Sequence, residues 1–207
     1  MKFKPVDEFR LEFDLEYRVQ FLREFIGLTD ADVAVIQGSA AVLEPHLPQL
    51  VEVVYEQMFA FDATRRHFLE RHSDDPAPMA ERLERLTLQD SVTRFRQQHF
   101  TEYFLRLMHD PFDGILMAYL DLVGKLHTAQ AGSPQIVIPL VQMNAMLGFV
   151  SDQLIRLIGE LGLAPDQERK TVRAFTKLLW LQNDLINRHY VQNAPSHATA
   201  EHASTMV

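Results

Sequence analysis

The chain contains no cysteine, which excludes disulfides and thiolate metal ligation of any kind and suits a reducing compartment. Glycine is scarce, with eight residues in 207, and there is one tryptophan. No apolar run approaches the roughly 20 residues that span a bilayer; stretches such as Gln135 to Val141 are among the longest. The N-terminal MKFKPVDEF carries charge with no apolar stretch behind it, so a signal peptide is not expected. Positive charge is short as well. Twenty lysines and arginines against 28 acidic residues leave a net charge of −8, with no basic block. Nucleic-acid binding would want a basic face to offset phosphate, so that class of partner is set aside, as is the membrane. The expectation is a cytoplasmic protein.

Common catalytic signatures are missing too. HExxH, GxSxG, a glycine-rich phosphate loop and EF-hand spacing are all absent, as are the repeated Glu-x-x-His pairs of a helical di-iron centre. The carboxylate pairs Glu81 with Glu84 and Asp74 with Asp75 lie in polar stretches and read as solvated faces. Sustained alternation of apolar and polar residues is also lacking, which removes any strand signal.

What is present is helical spacing along nearly the whole chain, together with fourteen Phe and eight Met to fill a core. The pattern predicts helices over Leu15 to Ile26, ended by Gly27, and over a Thr29-capped stretch to about Leu43. A third opens at Pro45 and Pro48 and reaches about Phe61. Arg71 to Pro78 reads as a loop, followed by a polar helix from Met79 and a longer one from Leu88 to Met108. After the turn at Asp110 to Asp113 a helix covers Phe112 to Thr128. Ala131 to Pro134 breaks it. Two long helices then run to about Leu161 and Tyr190, with Pro139 kinking or postponing the start of the first. The expected division is an N-terminal extension over 1–14, one all-α domain of seven or eight helices over 15–191, and a disordered tail over 192–207.

Three apolar faces carry candidate chemistry. Leu116, Leu120, Val123 and His127 share one helix face, so His127 stands at the end of an apolar stripe, as an iron ligand or as a core histidine bonded to a carbonyl. Val51, Val54, Tyr55, Met58 and Phe59 share another, which turns Tyr55 inward with a hydroxyl in need of a partner. Phe100, Tyr103, Phe104, Leu107 and Met108 form the third. Nearby, Arg96 is expected to point to solvent, and His99 to point either way. The other histidines are scattered, without the spacing of a zinc site.

The stretch FTEYFLRLMHDPFDGILMAYLDLVGKLH, Phe100 to His127, closely resembles archaeal protoglobins and the globin domains of bacterial globin-coupled sensors. Its aromatic-Asp pair, Phe112-Asp113, and its Gly-x-x-His, Gly124 to His127, carry the likeness. Gly27 to Tyr55 is similar to the sensors' opening helices, and Gly162 to Leu185 to the families' last helix. Val54 stands where archaeal protoglobins place a tryptophan.

The resemblance implies an all-α globin fold with an additional N-terminal helix; unlike the sensors, the chain is expected to carry no transmitter domain. It implies a haem b cofactor with His127 as the iron's ligand, and diatomic gases (O2, CO, NO) as partners. Tyr55 becomes the distal residue, with Phe59, Phe104, Leu120 and Val123 lining the cofactor. For the remaining distal contacts, archaeal spacing selects Phe100, whereas sensor spacing selects Phe95 and Val92. The second ring nitrogen of His127 is expected to donate to Thr128 or to the Val123 carbonyl. The chain is read as a gas sensor or binder more than as an enzyme. NO-dioxygenase or peroxidase-like turnover is the alternative, which would need an outside electron donor, and a non-haem globin acting as an interaction module is another. A homodimer through the last two long helices is expected, because Leu178, Leu179, Trp180, Leu181 and Leu185 wrap more than one side of the last helix. A separate signalling partner would supply the output.

Overall fold

The structure is a computed structural model and describes residues 3–69, 75–131 and 137–191. Eleven α-helices and three short 3-10 turns account for almost all of them, and no strand occurs among the described residues. The N-terminal extension includes a short helix, α1 (Glu8–Phe13), which buries none of its residues. The expected 192–207 tail lies outside the described residues, as does half of the loop expected at Arg71 to Pro78.

Local chemistry sets the boundaries. Asp14 caps α2 (Leu15–Ile26) by accepting from the Tyr17 amide, and Gly27 ends it at φ 67°, a left-handed conformation that costs glycine little. Thr29 and Asp32 form a reciprocal capping box on α3 (Asp30–Gly38). Lys177 donates to the same Asp32 at 2.8 Å, which ties the cap to the last helix. After α4 (Ala40–Leu43), a 3-10 turn leads into α5 (Leu47–Phe59), which has Pro48 in its first turn where a missing amide is harmless. The small α6 (Asp62–Arg65) and α7 (Met79–Arg85) precede α8 (Ser91–His109) and α9 (Gly114–Leu126). Pro139 does not kink the next helix. It stands as the residue before α10 (Leu140–Glu160), and α11 (Pro165–Val191) closes the chain.

α11 is the axis of the molecule. It packs on α2, α3, α9 and α10, and its Leu178, Leu181 and Leu185 are wholly inaccessible, with Leu179 nearly so. The two apolar faces read from its sequence are therefore spent largely inside the chain, and of that group only Trp180, 63% exposed, faces outward. No single helix among the described residues is long and apolar enough to cross a membrane.

Candidate functional site

α9 delivers His127. The carboxylate of Asp113 accepts from the amides of Ile115 and Leu116 and starts the helix, whose apolar face (Leu116, Leu120, Val123) enters the main core. His127 terminates it, with its amide on the Gly124 carbonyl at 3.2 Å. Its ring Nδ1 lies 2.7 Å from the Val123 carbonyl. A carbonyl can only accept, so Nδ1 carries the proton and Nε2 keeps its lone pair. Nothing among the described residues engages Nε2. Burial lowers the imidazole below its ordinary value, the Val123 bond opposes that shift, and the Arg96 guanidinium reinforces it. The neutral ring is favoured, as a metal ligand requires. Thr128 takes no part in this; its hydroxyl donates to the Lys125 carbonyl at 2.9 Å.

The end of α9 is fixed from behind. A Cβ on Gly124 would lie 2.7 Å from both Ile186 Cα and the Leu185 oxygen, so α9 rests directly on the α11 backbone. Around that contact, Asp121 takes bonds from His189 Nε2 at 3.0 Å and from Arg188 at 3.1 Å. Gln130, just past His127, donates to the His189 carbonyl at 2.9 Å. Arg188 continues to the Glu12 carbonyl at 2.9 Å, linking the frame to the N-terminal extension. Finally, Ile138 donates to the His127 carbonyl at 3.0 Å.

α5 supplies Tyr55, 4% exposed, in a second, smaller apolar cluster with Val51 and Phe68. Its ring meets Phe68 and Phe100 edge-on, at centroid distances of 5.7 and 6.2 Å, and Phe59 stands 5.0 Å from Phe68. The Tyr55 hydroxyl has no hydrogen-bond partner among the described residues. Burial pushes the phenol far above its usual value, with Arg96 pulling the other way.

α8 brings Phe100 to this cluster and Phe104 to the main core, with the two rings edge-to-face at 5.2 Å. It does not bring Phe95, which is 61% exposed and lies against the ring of His99 at 4.2 Å. Val92 is half-buried and belongs to neither cluster. His99 is exposed and bonds the Phe95 carbonyl at 2.8 Å. Arg96 departs from expectation. It is half-buried, donates to the His67 carbonyl at 2.8 Å, and lays its guanidinium over Phe68 at 4.8 Å. A turn of α8 that carries Phe100 inward also carries Arg96, four residues earlier on the same face. Phe68 itself escaped the sequence reading, since it lies on the connection after Phe61 that has no counterpart in the motif.

Among the described residues, no group of three or more His, Asp or Glu could hold a metal ion unaided. The donor set instead fits a metal that arrives in its own equatorial ligand: one free imidazole nitrogen, aromatic and aliphatic surroundings, and an orphaned hydroxyl. Those features match a tetrapyrrole iron.

The protoglobin family model matches residues 15–195. The globin domain of the Geobacter sulfurreducens globin-coupled sensor has a similar fold, with a TM-score of 0.64 at 18% sequence identity, covering 83% of this chain and 96% of that one. No curated protein sequence matches the chain.

Proposed function

The chain belongs to the protoglobin family, and from that premise we propose that it binds haem b through His127 and offers the iron to O2, CO or NO, as a sensor or gas binder. The observation that carries this reading is the Nδ1 bond of His127 to Val123, which leaves Nε2 uncommitted. Bound haem would supply an iron able to take a diatomic ligand. His127 donates its Nε2 lone pair, and the Val123 bond fixes the ring plane and raises the basicity of that nitrogen. Tyr55 offers the hydroxyl as a donor to a polar ligand. Phe100, Phe59, Phe104, Leu120 and Val123 exclude water. Tyr55 and Phe100 share one cluster while Phe95 is exposed, which favours the archaeal spacing over the sensor spacing for the distal side.

A homodimer through α10 and α11 is part of the proposal. Its support is Val141 (74% exposed), Ile155 (44%) and Trp180 (63%), apolar residues on the outer faces of those helices.

The test is the visible absorption spectrum of protein supplied with haem, in ferric, ferrous and CO-bound forms, alongside His127→Ala. A strong Soret band that shifts with CO, and is lost or becomes extractable in the variant, supports histidine ligation. An unchanged spectrum in His127→Ala refutes it.

A further inference from the structure

Arg96 is not explained by the roles assigned so far. Four other partly buried guanidiniums face carboxylates: Arg18 faces Asp184 at 2.5 Å, Arg23 faces Asp30 at 2.8 Å, Arg106 faces Asp110 at 2.9 Å, and Arg188 faces Asp121 at 3.1 Å. Arg65 instead donates to the Leu86 carbonyl at 2.6 Å and lies over Phe59, away from the Tyr55 ring. Arg96 has no carboxylate within ion-pair distance among the described residues. It is held by a neutral carbonyl, that of His67, and by the face of Phe68, the ring that also meets Tyr55. Removing a cation from water is costly, and a carbonyl with an aromatic face offsets only part of that cost.

Its position is informative. The His67 ring meets Gln142 at 2.9 Å, in the first turn of α10, and Ile138, just before that helix, holds the His127 carbonyl. Arg96 therefore stands at the seam between the Tyr55 side and the His127 side. A guanidinium that faces no carboxylate and a phenol with no hydrogen-bond partner among the described residues, at one seam, make a complementary donor pair for an anion.

We propose that Arg96 is an anion-binding residue of the site between Tyr55 and His127, pairing a negatively charged group of its occupant. The proposal rests on the haem reading above. The anion has two possible sources: a propionate carboxylate of the tetrapyrrole, or a small inorganic anion seated beside Tyr55.

The experiment compares wild type, Arg96→Gln and Arg96→Lys in two titrations. One uses metal-free protoporphyrin IX and its dimethyl ester, read by fluorescence. The other adds azide to the ferric haem-loaded protein, read by the Soret shift. A charge-assisted bond predicts that Arg96→Gln weakens one of the two by about tenfold to a hundredfold, and that Arg96→Lys retains most of the affinity. If protoporphyrin weakens while the ester binds wild type and variant alike, the anion is the propionate. If only azide weakens, it is the small anion. If haem fails to load but protoporphyrin binding still depends on Arg96, the His127 reading falls and this inference stands. Equal behaviour of wild type and Arg96→Gln in both titrations, absence of binding included, overturns it. Circular dichroism of Arg96→Lys separates loss of binding from loss of fold.

Discussion

Behind His127 the chain is held by directional polar bonds and by backbone resting on backbone, whereas around Tyr55 it is held by rings meeting edge-on. Asp121, His189, Arg188 and Gln130 join α9 to α11 with distances of 2.9 to 3.1 Å, and Gly124 removes the gap between the helices. Bonds to charged groups contribute about 1.5–3 kcal/mol each and fail abruptly when geometry shifts. Aromatic pairs contribute about 0.5–1.5 kcal/mol and tolerate tilting. The difference assigns two tasks: the frame keeps the imidazole in place, and the aromatic side can adjust to an occupant. Movement on ligand binding is expected on the Tyr55 side.

Gly124→Ala should break the frame most severely. Its Cβ would meet two backbone atoms that cannot rotate away, so the apoprotein should lose stability at the upper end of the ~1–3 kcal/mol cost of overpacking, as measured by chemical denaturation. Asp121→Asn comes next, with a loss of about 2 kcal/mol by the same measurement. That is below the ~3–5 kcal/mol for breaking a fully buried pair because Asp121 is 23% accessible. A loss under ~0.5 kcal/mol would show that the network is ornamental.

Tyr55→Phe should do the reverse of both. The hydroxyl has no hydrogen-bond partner among the described residues, so stability should change by less than ~0.5 kcal/mol. O2 release should accelerate by about tenfold to a hundredfold while CO release changes much less, since CO is the less polar ligand. Equal acceleration of both gases in flash photolysis would remove Tyr55 from the distal role. Smallest of all is Phe95→Ala, which should shift stability by no more than ~0.5 kcal/mol and leave O2 release unchanged. A large change in release would restore the sensor spacing.

The same contrast explains what the sequence revealed. Features written in local spacing were legible: the Thr29 cap, Pro139 at the start of α10, and the carbonyl one turn back as one of two partners for the His127 ring. So was the inward turn of Tyr55, set by the spacing of Val51, Val54 and Tyr55. The Asp121–His189 pair was not, because 68 residues separate two polar side chains whose meeting depends on how α9 crosses α11. Arg96 was assigned to solvent because charge normally seeks it, and only Phe68 and the His67 carbonyl, brought in by a separate segment, reverse that preference. The leucines of α11 show the opposite case. Apolar residues on two faces suggest a second chain, but here α2, α3, α9 and α10 supply the cover.

The Ile138 amide on the His127 carbonyl has a consequence for how such chains can vary. It closes the connection between them at its root, so the length of what lies between is uncoupled from the position of the imidazole. Insertions between the two residues should therefore leave the His127 imidazole where it stands.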